Sequence, residues 1–191
     1  MNSFLKVIQL HKNEKALIKK AIQQNREAQH VLFKMHAPKM LSVCRYYIKD
    51  VNQAEEAMLN GFFKVFNNLK TYRHEGSFEG WVRRIMIRES ISYLRQKKSV
   101  DFLSESDFVV EDRSYNIETN LEVSDIQKLI DNLPEGYRMV FVMYAIEGYK
   151  HHEIAEVLNI SPGTSKSQLF KARKMLQEQL KQLNNERYGT H

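Results

Sequence analysis

Punctuation is what this chain lacks. Its 191 residues include 7 glycines and 3 prolines, the two residues that most readily interrupt a helix, and strand-like alternation is scarce. The shortage predicts long helices with few breaks. From Leu17 to about Lys98 the pattern is helical almost throughout. In "MLNGFFKVFNNLKTY", Met58, Phe62, Val65, Phe66 and Leu69 recur every three or four residues and make one apolar stripe, which predicts core. From Ser99 to about Glu122 the period is lost: "SVDFLSESDFVVEDRSYNIETNLE" is acidic and rich in Ser and Asn, as a linker would be. A second helical block follows, in which Ile126, Leu129, Ile130 and Leu133 form a stripe that ends at Pro134. The expected fold is all-α: two small helical domains, residues 1–98 and 123–191, joined by an acidic linker at 99–122. No internal repeat interrupts this plan.

The totals narrow the function less than the plan does. With 29 Lys plus Arg against 23 Asp plus Glu, the net charge of +6 suits a polyanionic partner, and where the charge sits decides more than its sum. The single cysteine, Cys44, excludes an internal disulfide framework and a thiolate zinc site, and its apolar helical setting reads as a buried small hydrophobe. The first residues alternate apolar and charged, as in "LKVIQLHKNEKALIKK". No apolar run approaches the roughly 20 residues that span a bilayer, and no export signal is visible, so a cytoplasmic protein is expected. No nucleophile with a base, phosphate loop or metal cluster stands out. Neither an enzyme nor a cofactor, metal ion or small-molecule substrate is therefore expected.

The stretch "HHEIAEVLNISPGTSKSQLFKAR", His151 to Arg173, reads as two short helices broken by a turn. Ile154, Ala155 and Leu158 give the first an inward face, small Ala155 lets the helices cross closely, and Ile160 can plug the gap between them. Ser161 is suited to cap the second helix and Pro162 to its first position, where a missing amide would be unpaired in any case. Leu169, Ala172 and Leu176 share one face of that helix, with Thr164, Ser167, Lys171 and Lys174 opposite. In a helix-turn-helix the second helix enters the major groove, its first residues at base edges. Thr164, Lys166, Ser167, Gln168 and Lys171 suit base or phosphate contact, and Arg173 and Lys174 suit the backbone. A plain helical hairpin with a solvated basic face stays open as a reading. His151, His152 and Glu153 do not read as a metal site, because adjacent histidines diverge on a helix and no HExxH spacing exists.

The segment "GWVRRIMIRESISYLRQKK", Gly80 to Lys98, sets Arg83, Arg84, Arg88, Arg95, Lys97 and Lys98 against one acid, Glu89. Arg84, Arg88 and Arg95 line up on one helical face, a basic ridge suited to phosphates. Just before it, "TYRHEGSFEGW" interleaves Tyr72, Phe78 and Trp81 with Arg73 and His74. Rings beside cations are what an unstacked single strand requires, although Trp81, at the head of a helix, also fits a core position.

Taken in order, "AEEAMLNGFFKVF", "GSFEGWVRRIMIRESISYLRQKK", the acidic linker and "LPEGYRMVFVMYAIEGYKHHEIAEVLNISPGTSKSQLFKAR" resemble an extracytoplasmic function sigma factor of bacterial RNA polymerase, within the sigma-70 family. The likeness runs from about Leu17 to Leu183, and "GSFEGWVRRIM" is most similar to members from Bacteroidetes. The resemblance implies a non-catalytic initiation factor. Its residues 1–98 would bind the polymerase core and the −10 element, its linker would thread toward the RNA exit channel, and its residues 123–191 would read the −35 element as duplex. The partners implied are core RNA polymerase, through its beta and beta-prime subunits, promoter DNA, and an anti-sigma factor, often membrane-bound. Carried over residue by residue, polymerase contact falls on the helix from Ala54 to Phe66, with Glu55, Glu56, Met58, Leu59, Asn60 and Phe63. The −10 contact falls on Tyr72, Arg73, His74, Phe78, Trp81, Arg83, Arg84, Arg88 and Arg95, and the −35 contact on Thr164, Lys166, Ser167, Gln168, Lys171, Arg173 and Lys174.

Five positions depart from the family's pattern. Leu59 and Asn60 stand where the core-binding helix usually carries Gln followed by Glu or Asp, and Arg88 stands where many members have Asn. Ser165 replaces a usual Val, which loosens packing slightly, and Gln168 replaces a usual Arg, which suggests an altered −35 sequence because Gln pairs well with adenine. The reading that competes with the resemblance is a dimeric helix-turn-helix regulator that binds duplex DNA without polymerase. The stretch from Tyr72 to Lys98 is what such a regulator has no reason to own.

Overall fold

A computed structural model describes residues 14–97 and 123–188, and no strand occurs among them. The acidic linker expected at 99–122 lies outside the described residues. The chain divides between Lys97 and Lys98 into two compact units.

In the N-terminal unit, residues 14–22 form α1. Three longer helices follow: α2 (Arg26–Tyr47), α3 (Val51–Asn67) and α4 (Phe78–Lys97), with a single 3-10 turn at Leu69–Thr71. A short polar side chain marks each start. Asn25 Oδ1 accepts from the Ala28 amide, Asp50 Oδ1 from that of Gln53 (both 2.9 Å) and Ser77 Oγ from that of Gly80 (3.0 Å), each satisfying an amide that the first turn leaves unpaired. The three helices pack pairwise against one another. Of the apolar stripe on α3, Met58, Phe62 and Val65 are buried and Leu69 follows them into the core, with Phe62 edge-on to Phe33 of α2 at 4.8 Å. α3 crosses α4 closely at Gly61, where an added Cβ would lie 2.4 Å from Met86 Sδ of α4. Cys44 is fully buried, and burial pushes its thiol up to about 11, the behaviour of an inert core residue.

The C-terminal unit comprises α5 (Val123–Asp131), α6 (Glu135–Phe141), a π-helical turn at Val142–Ile146, α7 (His151–Leu158) and α8 (Pro162–Tyr188). α5, α6 and α7 all pack on α8. Leu129, Ile130 and Leu133 point inward, while Ile126 of the same stripe remains 43% exposed. The π turn, marked by the Glu147 amide donating five residues back to Val142, is not signalled by the hydrophobic period. Between α7 and α8 the chain reverses through Asn159, in the left-handed region at φ 56°, and the Ile160 amide donates back to Ala155 O. Ser161 Oγ accepts from the Thr164 amide at 2.9 Å, so α8 starts where its capping residue predicts.

Candidate nucleic-acid interface

The loop before α4 is built on its own aromatics. Tyr72 O–H donates to Gly76 O at 2.9 Å, and its ring lies 4.6 Å from His74, 5.3 Å from Phe78 and 5.4 Å from Trp81. Such a cluster lets the backbone hold His74 and Gly76 at φ 60° and 92°. Tyr72 and Phe78 are therefore buried, at 9% and 2% exposure, and burial raises the Tyr72 phenol above its ordinary range, with a smaller push from Glu14. Phe78, expected at DNA, is a core residue in this structure: its ring is wedged between His36 and Trp81, and the apolar area it removes from water favours leaving it there. Trp81 is half-buried, and Arg73 and His74 are exposed.

Beside this loop, α3 and α4 enclose a groove of about 460 Å³, lined by Lys64, Asn68, Trp81, Ile85, Arg88 and Glu89 among others. Lys64 and Glu89 close one side as an ion pair. The groove thus offers an aromatic wall, an amide and a guanidinium, which suits a planar polar group next to a phosphate. Arg84, Arg88 and Arg95 are all exposed on α4 and Arg83 is half-buried. The basic ridge flanks the groove.

On α3, Glu55, Glu56 and Asn60 are exposed, and Leu59 and Phe63 stand out at 50% and 69% exposure. With Val51 at 55% they form an apolar ridge at i, i+8 and i+12. Met58, grouped with them on sequence, belongs to the core at 4%. Glu56 Oε2 accepts from Tyr93 O–H at 2.8 Å and so also braces α3 against α4.

In the C-terminal unit, Lys166 and Lys174 are exposed on α8, and Thr164 is half-exposed with its hydroxyl 2.9 Å from Ser161 Oγ. Lys171 lies 6.0 Å from the Tyr137 ring centre and Arg173 5.7 Å from that of Tyr144. Ser167 and Gln168 are turned inward, at 8% and 9% exposure. The inward stripe of α8 runs Ser165, Gln168, Leu169 and Ala172, an i, i+3, i+4, i+7 set. Its centre is rotated from the Leu169, Ala172, Leu176 face expected, and the rotation carries Gln168 inside. There its amide fills the space beside Gly136, whose absent Cβ would sit 3.4 Å from Gln168 Nε2. Ser167 Oγ donates to Thr164 O.

One residue at this face went unnoticed in the sequence. Phe170 is 39% exposed, four residues from both Lys166 and Lys174, so it forms the middle of the outward stripe. Its apolar side chain hides the signal, which is its spacing from the two lysines. Ser165, expected only to loosen packing, is fully buried and in hydrogen-bond contact with His151 Nδ1 at 2.9 Å.

Among the described residues no three His, Cys, Asp or Glu side chains are grouped to hold a metal ion, and no helix is long and apolar enough to cross a membrane. Comparison with known proteins matches residues 32–100 to the family described as Sigma-70 region 2 and residues 124–176 to that described as Sigma-70, region 4. The extracytoplasmic function (ECF) RNA polymerase sigma-E factor of Haemophilus influenzae is 23% identical over 188 residues, covering 89% of this chain and 96% of its own length. The ECF RNA polymerase sigma factor SigW of Bacillus subtilis is 27% identical, covering 87% and 98%. Among solved structures, the sigma factor RpoE of Bartonella quintana, in complex with the anti-sigma factor NepR, shares the fold at TM-score 0.53 and 18% identity, over 80% of this chain and 96% of that one.

Proposed function

The chain belongs to the sigma-70 family as an RNA polymerase sigma factor of the extracytoplasmic function group, and from that premise we propose how its residues divide promoter recognition. A sigma factor catalyses nothing; it works with core RNA polymerase on promoter DNA. Residues 1–98 form the unit that binds the polymerase core and the −10 element, 99–122 the linker, and 123–191 the unit that reads the −35 duplex.

The observation that carries this division is the groove between α3 and α4. A protein that only grips duplex needs cations and a helix; a pocket lined from α4 by Trp81 and Arg88, two turns apart, and from α3 by Lys64 and Asn68 serves a base taken out of its stack, with the Arg84 ridge on the adjoining phosphates. Tyr72 and Phe78 support the loop from beneath rather than meeting bases. Polymerase docks on the apolar ridge of α3 through Leu59 and Phe63, with Glu55, Glu56 and Asn60 at its edge. Burying exposed apolar side chains offsets the loss of the polar pair that relatives carry there.

At the −35 element the contacts are Thr164, Lys166, Phe170 and Lys174 on the outward side of α8, with Lys171 and Arg173 at the flanking phosphates. Phe170 suits a thymine methyl. Ser167 and Gln168 shape the helix from within. The solved relative was captured with an anti-sigma factor, and we extend such a partner, and a cytoplasmic location, to this chain.

The test is transcription in vitro. Purified protein added to core polymerase yields transcripts from promoters that core alone ignores, and permanganate marks unstacked thymines at their −10 segment. Tight binding to duplex DNA with no polymerase-dependent transcript would instead identify a dimeric repressor and overturn the assignment.

A further inference from the structure

The −35 face depends on how α8 is seated, and one polar contact crosses that seat. The inward stripe of α8 is apolar at Leu169 and Ala172 but begins with Ser165, which is fully buried. A buried hydroxyl without a partner is costly. Its partner is His151 Nδ1, 2.9 Å away on the first turn of α7. The imidazole is held on its flat side as well, stacked on Tyr144 at 4.7 Å with 24° between the planes, and Arg173 lies over the same Tyr144 ring. His151 thus begins α7, stacks on the π turn and bonds to α8. The relative placement of these three elements defines the helix-turn-helix.

We propose that His151 is a positioning residue for promoter recognition: through Ser165 it sets the seating of the recognition helix, and its protonation is coupled to binding of the −35 duplex. The proposal rests on the −35 reading of this unit. The groups that face the imidazole are Tyr144 from the π turn and Lys166 and Arg173 from α8, with Lys150, His152 and Glu153 beside it in sequence. Burial, then Lys166 and Arg173, hold its pKa below the ordinary histidine value, so at pH 8 the free protein carries a neutral ring. Nδ1 either donates to Ser165 Oγ, so that Nε2 gains the added proton, or accepts from the hydroxyl and becomes the donor on protonation; the contact survives in both cases. Phosphates drawn to Lys166 and Arg173 cancel the field that disfavours the imidazolium. Duplex binding therefore takes up a proton, and affinity rises as pH falls from 8 to 6.

The experiment uses the full chain and two labelled duplexes, one carrying the −35 segment of a promoter mapped by transcription with core polymerase and one scrambled, at pH 8 and pH 6. The wild type prefers the mapped duplex and gains about threefold at pH 6. His151→Leu loses about tenfold on the mapped duplex at pH 8 and little on the scrambled one, as expected when a buried hydroxyl is orphaned and the helix shifts. His151→Asn, which keeps a hydrogen-bonding atom near the Nδ1 position and cannot titrate, recovers the affinity at pH 8 and shows no added gain at pH 6. His151→Leu with Ser165→Val leaves no orphaned hydroxyl and controls for folding: it melts like the wild type, recovers affinity at pH 8 and lacks the pH gain. The proposal is overturned if His151→Leu binds as the wild type does, if it loses equally on both duplexes, or if His151→Asn keeps the full gain. A wild type that cannot tell the mapped from the scrambled duplex overturns the −35 reading itself, and this proposal with it.

Discussion

Arg84 and Arg88 stand one turn apart on the exposed side of α4, Arg88 at the wall of the groove that holds Trp81. Replacing both with Ala removes two cations from the path assigned to the −10 strand and nothing from the core. Each phosphate neutralised contributes about −0.7 to the slope of log affinity against log salt for a single strand and about −0.9 for duplex. The double variant should therefore bind a single-stranded −10 oligonucleotide with a slope shallower by about 1.4, against about 1.8 if the ridge grips duplex. Between about 50 and 200 mM salt, a fourfold change, the advantage of wild type over variant shrinks about sevenfold in the first case and about twelvefold in the second. The assay is fluorescence anisotropy of a labelled non-template strand on holoenzyme across that range, with permanganate reactivity of the −10 thymines measured on the intact promoter. A wild-type advantage that stays constant with salt, or thymine reactivity that the variant leaves unchanged, would refute the placement of the ridge on DNA.

Three further outcomes follow from positions described above. Phe63→Ala gives up burial of a side chain that is 69% exposed in the free protein, worth about 1–2 kcal/mol when covered, so core polymerase binds roughly tenfold more weakly in a competition assay while the melting temperature is unchanged. Gly61→Ala forces a methyl to within 2.4 Å of Met86 Sδ. Overpacking of about 1–3 kcal/mol exceeds the helix-propensity gain of about 0.5–1 kcal/mol, so urea denaturation shows a net loss that Met86→Val relieves. Because the folded pKa of His151 lies below the unfolded value, the unfolded chain binds the proton first. The stability of the C-terminal unit is then full above about pH 6.5 and falls as pH drops from there toward the folded pKa, a decline that His151→Asn flattens in thermal melts at stepped pH.

The helices were legible because their ends are written locally. Ser161 and Pro162 announce the start of α8, and the α3 stripe of Met58, Phe62 and Val65 names its buried face. The sites were less legible, because the same residue types serve core and surface. Tyr72 and Phe78 look like a stacking platform in one dimension, but packing around His36 and Trp81 makes them the loop's foundation. Gln168 looks like a base reader until the rotation of α8 places it beside Gly136, a partner 32 positions earlier that no local pattern reveals. The groove between α3 and α4 brings Lys64 and Asn68 to Trp81 and Arg88 across a helix crossing, so it too has no linear signature.

The sealing of Gln168 inside the C-terminal unit leaves α8 with two alphabets that do not overlap. Ser165, Gln168, Leu169 and Ala172 spell the fold, and Lys166, Phe170 and Lys174, exposed and proposed above to meet the −35 duplex, spell the address. A set that faces outward can be rewritten with little disturbance to the set that holds the helix in place, Lys166 being the letter that also faces His151. Grafting outward triplets from other promoters' readers onto this frame would then yield a panel of mutually deaf initiation factors, each answering its own DNA while sharing one scaffold and one polymerase.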